Sequence, residues 1–330
     1  MGELDVQVAF FKRIRSSLPG NLSLVDEVAG ILKLSNDSTY RRIRGLTPLN
    51  MNELLLISRH FGVPFDDKQN QGSESVIFEF LKLEGKEDNF RKWLFRLRDN
   101  LQRISSVEGS RILYAADDVP IWHHFVNEEF TCFKLFYWLK CILSNDNYRD
   151  KQFDAALIDR ELIEAAHEVL ELYNKCDSTE IWTEDTLNST LKQVEYFWES
   201  GFFKDKAQAH RICDYIDEEL NILQHKAEKS SKLIQKKEKQ VENFKLYRSE
   251  VMIGNNSILV TVGNNKTAFV SNNTFNFMTT SSADFIEENE SWLNNLVKKS
   301  VLISNVSEKQ RNQFFKILHN KVDLLRQSMN

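Results

Sequence analysis

The sequence predicts a mainly α N-terminal domain of short helices joined by tight turns, followed by an α+β C-terminal region of helices plus a small antiparallel sheet. Three observations carry that expectation. Residues 5–61 repeat apolar side chains at helical spacing and break at Pro19-Gly20, Lys33-Leu34-Ser35 and Gly45. Only 4 prolines interrupt 330 residues that are 42% hydrophobic and 28% charged, the composition of a largely helical globular chain. From residue 252, MIGNNSILVTVGNNKTAFVSNNTFNFMTTSS turns β-branched and aromatic, punctuated by Asn-Asn and Gly-Asn turns, which reads as a meander of three or four strands.

The elements follow in order. Residues 5–17 form an amphipathic helix with Val6 or Val8, Phe10, Phe11 and Ile14 inward. Ser23 can cap a second helix, with Asp26 and Glu27 in its first turn, where carboxylates meet free N–H groups. Asn36, Asp37 or Ser38 can cap a third, which runs through Tyr40, Arg41, Arg42, Ile43 and Arg44 and stops at Gly45. Asn50, with Glu53 three residues on, makes a capping-box-like start to a fourth that ends at Phe61-Gly62. The domain expected over residues 1–68 holds nine Lys/Arg against eight Asp/Glu, so any excess of positive charge is local to the third helix.

Residues 22–67 resemble the helix-turn-helix of the lambda-repressor-like (XRE/Cro) superfamily, and the resemblance extends over about residues 5–68. It rests on Ala29 inside one motif helix, Leu32 and Leu34 about the turn, Arg44-Gly45 closing the next helix, and Phe61-Gly62-Val63-Pro64-Phe65-Asp66 ending the last. In that superfamily the second motif helix lies in the DNA major groove. The resemblance therefore implies a DNA-binding face at Asn36, Asp37, Ser38, Thr39, Arg41 and Arg42. Arg44, at the end of the helix, is expected to serve the scaffold. Two departures stand out. Lys33 occupies the turn position where the family carries glycine, so it must accept or avoid a left-handed backbone. The apolar pair Tyr40 and Ile43 comes one residue late, which rotates the exposed face by about 100°.

A linker is expected at 69–74, then an effector or oligomerisation region at 75–330, helical over 75–250 and closed by the meander and two helices over 251–330. Residues 75–83 have the β-branched and aromatic density of a strand, with a helix as the alternative. A helix from Asp88 carries Phe90, Leu94, Leu97, Leu101 and Ile104 along one stripe. Residues 110–121 read as a buried strand running into a loop at Asp117-Asp118. FTCFKLFYWLKCIL (130–143) is apolar on nearly every side. Further helices are expected at about 153–174, 184–200 and from 206 into a lysine-rich tract ending near Arg248, then at 282–300 and 307–327. The phrases ILYAADDVPIWHHF and FTCFKLFYWLKCIL are similar to a block found in uncharacterised regulators of Bacteroidota type, in which a motif helix precedes a long C-terminal domain.

Chemistry-bearing motifs are sparse. Asp117, Asp118, His123 and His124 have the residue types of a metal or acid–base site, although Asp-Asp before Val-Pro also makes an ordinary turn. His319-Asn320-Lys321 opens the HxKxxxxD phosphodiesterase signature, but Arg326 stands where its aspartate is required. No phosphate loop, dinucleotide turn, nucleophile elbow or HExxH helix is present. No enzyme activity, metal or cofactor is expected. The 4 cysteines show no CxxC spacing and read as free thiols of a reducing compartment. The aromatics from Phe130 to Trp138 and from Tyr196 to Phe203 read as core or as the lining of an effector pocket. The tract from Lys226 to Lys245, interleaved with Glu228, Glu238 and Glu242, reads as a solvated face or a phosphate contact.

Net charge is −5, the N-terminus is too charged for a signal peptide, and no run approaches 18 apolar residues. The expectation is a cytoplasmic, sequence-specific transcriptional regulator that binds double-stranded DNA as a homodimer, with a dimerisation or sensory C-terminal domain, an unknown small-molecule effector and no membrane partner. The alternative is a signalling module whose helical N-terminal domain docks a protein.

Overall fold

Among the described residues, four helices make the first of two units into which the chain divides, Met1–Ser75 and Val76–Asn330. They are α1 (Glu3–Ser17), α2 (Leu24–Leu32), α3 (Asn36–Ile43) and α4 (Met51–Phe61). The computed structural model describes residues 3–18, 22–61, 63, 76–83, 86–233 and 241–329. The expected linker at 69–74 lies outside the described residues. So do residues 234–240 of the lysine-rich tract and all but Phe61 and Val63 of the closing Phe61–Asp66 phrase.

Burial of Phe10, Phe11, Ile14, Leu24, Val28 and Ile57 holds the helices of this unit together. Gln7 stitches α1 to the α3–α4 connection, since its Nε2 donates to the carbonyls of Arg42 (2.6 Å) and Thr47 (2.9 Å) and its Oε1 accepts from Leu49 N–H (2.9 Å). Ser23 caps α2 as expected. The cap of α3 is Ser35 rather than Asn36, Asp37 or Ser38: its Oγ accepts the Ser38 N–H at 3.3 Å, so the helix starts one residue earlier than the polar run suggests. The Asn50–Glu53 box forms reciprocally, at 2.9 and 3.0 Å.

The second unit is one mixed sheet with helices on both faces. In chain order it comprises β1 (Glu79–Phe80), α5 (Glu87–Ser106), β2 (Arg111–Ala116), α6 (Glu128–Tyr137), α7 (Arg160–Lys175), β3 (Asp177–Trp182), α8 (Asn188–Glu199) and α9 (Lys206–Lys229). There follow β4 (Phe244–Arg248), β5 (Ser257–Val262), β6 (Asn265–Ser271), β7 (Phe277–Thr280), α10 (Ala283–Lys299), β8 (Val301–Leu302) and α11 (Glu308–Ser328). The strand order is β1-β7-β6-β5-β2-β3-β4-β8. β2, β3 and β4 run parallel and every other pairing is antiparallel.

The small antiparallel sheet is therefore corrected to a mixed one with eight strands among the described residues. The meander of β5, β6 and β7 forms, but it continues through β5–β2 into the parallel strands instead of standing apart from a helical region. Two of those strands fall where no strand was expected. β3 occupies the gap between two expected helices, and β4 replaces the end of the helix expected to reach Arg248. Alternation along the strands decides the two faces. Ile112, Tyr114 and Ala116 of β2 join the large core under α5–α9 and α11, whereas Ala115, with Ile181 and Leu259, packs on Ile286, Leu293 and Leu296 of α10. Among the described residues no helix is long and apolar enough to cross a membrane.

Candidate functional site

Two places hold chemistry: the outer face of α3, and a cavity in the second unit. The connection from α2 to α3 passes through Lys33, which takes the left-handed conformation (φ 54°, ψ 45°) where the resembled family has glycine. Its N–H closes on the Ala29 carbonyl, and Leu34 N–H reaches the same oxygen at 3.1 Å.

The six residues expected on the DNA-binding face separate into two groups. Asn36, Asp37 and Arg41 are exposed, with Asn36 Nδ2 donating to Asp26 Oδ1 at 3.0 Å. Ser38 is half-buried within the cap, and Thr39 is completely buried. Arg42 is also taken up internally, with Nε and Nη2 on the two oxygens of Glu53 (3.3 and 2.9 Å) and Nη1 on the Ser38 carbonyl (3.3 Å). The scaffold contact expected of Arg44 is made by Arg42. Arg42 holds α3 to α4, while Arg44 lies in the open with its guanidinium 4.5 Å above the Tyr40 ring. Asn36, Asp37, Tyr40, Arg41 and Arg44 recur at helical spacing and form one exposed stripe.

The cavity has a volume of about 230 Å³ and lies between α5, α6, α8 and the sheet face of β2, β5 and β6. Its polar end sits past the carboxyl ends of β2 and β3, beside the point where β2 has a parallel neighbour on one side and an antiparallel one on the other. Crevices at such ends are where open α/β sheets bind ligands. Thr186 Oγ1 ties the loop after β3 to the Ala116 carbonyl at 2.9 Å, and Asn256 Oδ1 receives the N–H groups of Asp117 (3.0 Å) and Asp118 (3.2 Å).

The four-residue Asp/His cluster is divided by these contacts. Asp118 and His124 line the cavity, Asp117 is exposed, and His123 is buried in the core with its Nε2 at 3.0 and 3.1 Å from the oxygens of Glu180. Among the described residues no three His, Cys, Asp or Glu side chains gather as metal ligands. His124 Nδ1 lies 3.0 Å from Glu219 Oε2. Burial, with Lys134 and His123 nearby, pushes the His124 pKa well down, and burial pushes the Glu219 carboxyl up to about 7.

Lys134 was hidden inside the apolar run at 130–143. It is buried on α6, donating to Gln193 Oε1 at 2.6 Å and Thr190 Oγ1 at 3.2 Å. Burial lowers its pKa to about 8 against the opposing pull of Glu219 and Asp118. The signal for it was a lysine in a stretch with no solvent-facing side, because a buried ammonium persists only where partners await it. One turn further, Trp138 opens a π-helical turn over Trp138–Ile142, a distortion frequent at functional sites. Of the aromatics offered as core or pocket lining, Trp138 lines the cavity, while Phe130, Phe133, Phe136, Phe197 and Phe203 stack into the core. Comparison with protein families, with curated proteins and with solved structures finds nothing that matches this chain.

Proposed function

We propose that the protein is a cytoplasmic, sequence-specific DNA-binding regulator whose α3 stripe enters the major groove, with a second unit that dimerises or senses. The observation that carries this reading is the division of labour on α3. Thr39, Arg42 and Ile43 serve the scaffold, and the residues left open are Arg41 and Arg44 with Asn36, Asp37 and Tyr40 beside them. Arginine forks on guanine edges or phosphates, and an asparagine at the helix start, are what groove recognition uses. One eight-residue helix makes few such contacts, so two copies joined at one-turn spacing are needed for useful affinity.

The test is selection of bound fragments from a random DNA pool, followed by anisotropy titration of the winners over a salt series. Binding that weakens steeply with salt, and that Arg41→Ala with Arg44→Ala abolishes, is the expected result. Unchanged binding by that double variant would remove α3 from the interface.

A specific observation favours the second reading, a docked protein. Leu46, Met51, Leu55 and Leu56 are 44% to 70% exposed, and Met51 and Leu55 lie one turn apart on α4. An apolar contact of that kind has a shallow salt dependence, which separates it from groove binding.

A further inference from the structure

The walls and the polar end of the cavity ask for different parts of one molecule. Trp93, Phe275, Leu97 and Ile258 give it apolar walls. About 230 Å³ exceeds the roughly 150 Å³ that holds a benzene ring in a dry apolar cavity, so a bicyclic ring or a medium aliphatic chain fits. At the polar end two donors have unfilled capacity. Trp138 is 2% exposed, lines the cavity, and its buried Nε1–H has no hydrogen-bond partner. Lys134 spends two bonds on Thr190 and Gln193, and an ammonium carries three donors.

A buried indole N–H left without an acceptor is costly, and such atoms mark a place where something else belongs. A ligand acceptor that takes both N–H bonds at once displaces whatever water gathers at this end, and the apolar walls hold the rest of the molecule. The lining charges point the same way, with Lys134, Arg96 and Arg103 against Asp118 and Glu79. Burial raises the Asp118 pKa, with Ser189 and Lys134 pulling it the other way.

We infer that the cavity binds a small apolar carboxylate, its ring or chain between Trp93 and Phe275 and its carboxylate on Lys134 Nζ and Trp138 Nε1. The inference deepens the sensory half of the reading above and rests on it only for the consequence of binding. Ligand binding is measured without DNA, so loss of the α3 contact and loss of the cavity ligand are told apart.

The experiment is isothermal calorimetry on the full chain at pH 7 with three isosteric probes: 2-naphthoate, 2-naphthylmethanol and 2-naphthylmethylamine. The expected result is one site per chain for 2-naphthoate, at least about tenfold tighter than the alcohol, with no measurable binding of the amine. Lys134→Met abolishes the preference for the anion. Trp138→Phe keeps the ring, removes the N–H, and weakens 2-naphthoate by about tenfold. That variant carries the test if Lys134→Met does not fold. No binding by any probe, equal binding of anion and alcohol, or wild-type affinity in the Trp138→Phe protein would each overturn the inference.

Discussion

Glu180 and His123 meet in the middle of the second unit, Nε2 standing 3.0 and 3.1 Å from the two carboxylate oxygens with neither side chain more than 1% exposed. Glu180 also accepts the indole N–H groups of Trp182 (2.9 Å) and Trp122 (3.4 Å) and the hydroxyl of Tyr173. A polar glutamate on β3 therefore organises the core that its neighbours build from aromatic rings.

Glu180→Leu strands those donors in a place water does not reach, so it is expected to destabilise the second unit by about 3–5 kcal/mol. Burial pushes the Glu180 carboxyl up, but the nearby His123 and the bonds from His123 and Tyr173 outweigh it and hold the pKa below the ordinary carboxylate value. That stability is present above the ordinary carboxylate pKa and is lost as pH falls through the depressed one. Urea unfolding of wild type and variant checks both, and equal midpoints at neutral pH would refute the assigned role.

Three buried lysines predict an alkaline rise in stability. Burial lowers Lys232 to about 7, and Lys134 and Lys226 to about 8, in spite of nearby carboxylates. Lys232 donates to the Cys176 carbonyl (2.6 Å) and Ser178 Oγ (2.7 Å), and lies 3.8 Å from the Tyr173 ring centre. Between pH 7 and 9 the unfolded chain keeps protons that the folded chain has released, so stability grows with pH, by up to about 1.4 kcal/mol per pH unit for each lysine. The urea midpoint should climb over that window, and Lys232→Met should flatten the climb. A midpoint that falls from pH 7 to 9 contradicts the account.

Arg42 and Arg41 should part company. Arg42→Ala removes a bidentate, half-buried pair with Glu53 and is expected to cost the first unit about 1–2 kcal/mol. Arg41→Ala touches no such partner and should leave the unfolding curve within about 0.5 kcal/mol of wild type. Circular dichroism melts of the two variants decide it, and equal losses would mean that Arg42 is not the strut described.

Lys33→Gly is expected to stabilise the first unit by about 0.5–1 kcal/mol. A side chain at φ 54° crowds the backbone, and glycine occupies that conformation without a Cβ. Thermal unfolding reads the gain, and a loss would show that the lysine stem packs usefully.

The sequence alone determined the local elements whose reasons are local. Ser23 and the Asn50–Glu53 box sit at helix starts, the stripe from Phe90 to Ile104 lies on one helix, and the Asn-rich turns divide a meander, because caps, periodicity and turn chemistry act over a few residues. Glycine's replacement at Lys33 was legible as a choice between two backbones, and the tertiary structure made the choice.

What only the tertiary structure decided is which polar groups face inward. DSTEIW has no apolar alternation to betray a strand, since Ser178 and Glu180 point into the core and are made tolerable there by Tyr173, Lys232, His123 and Trp122 from other elements and by Trp182 two residues along. Arg42 rather than Arg44 became the scaffold arginine because Glu53, on the next helix, lies within its reach. Lys134 and Trp138 joined one cavity through partners on α8 and strands over 100 residues further along the chain. Burial of a charge depends on such distant partners, and no window of neighbouring residues contains them.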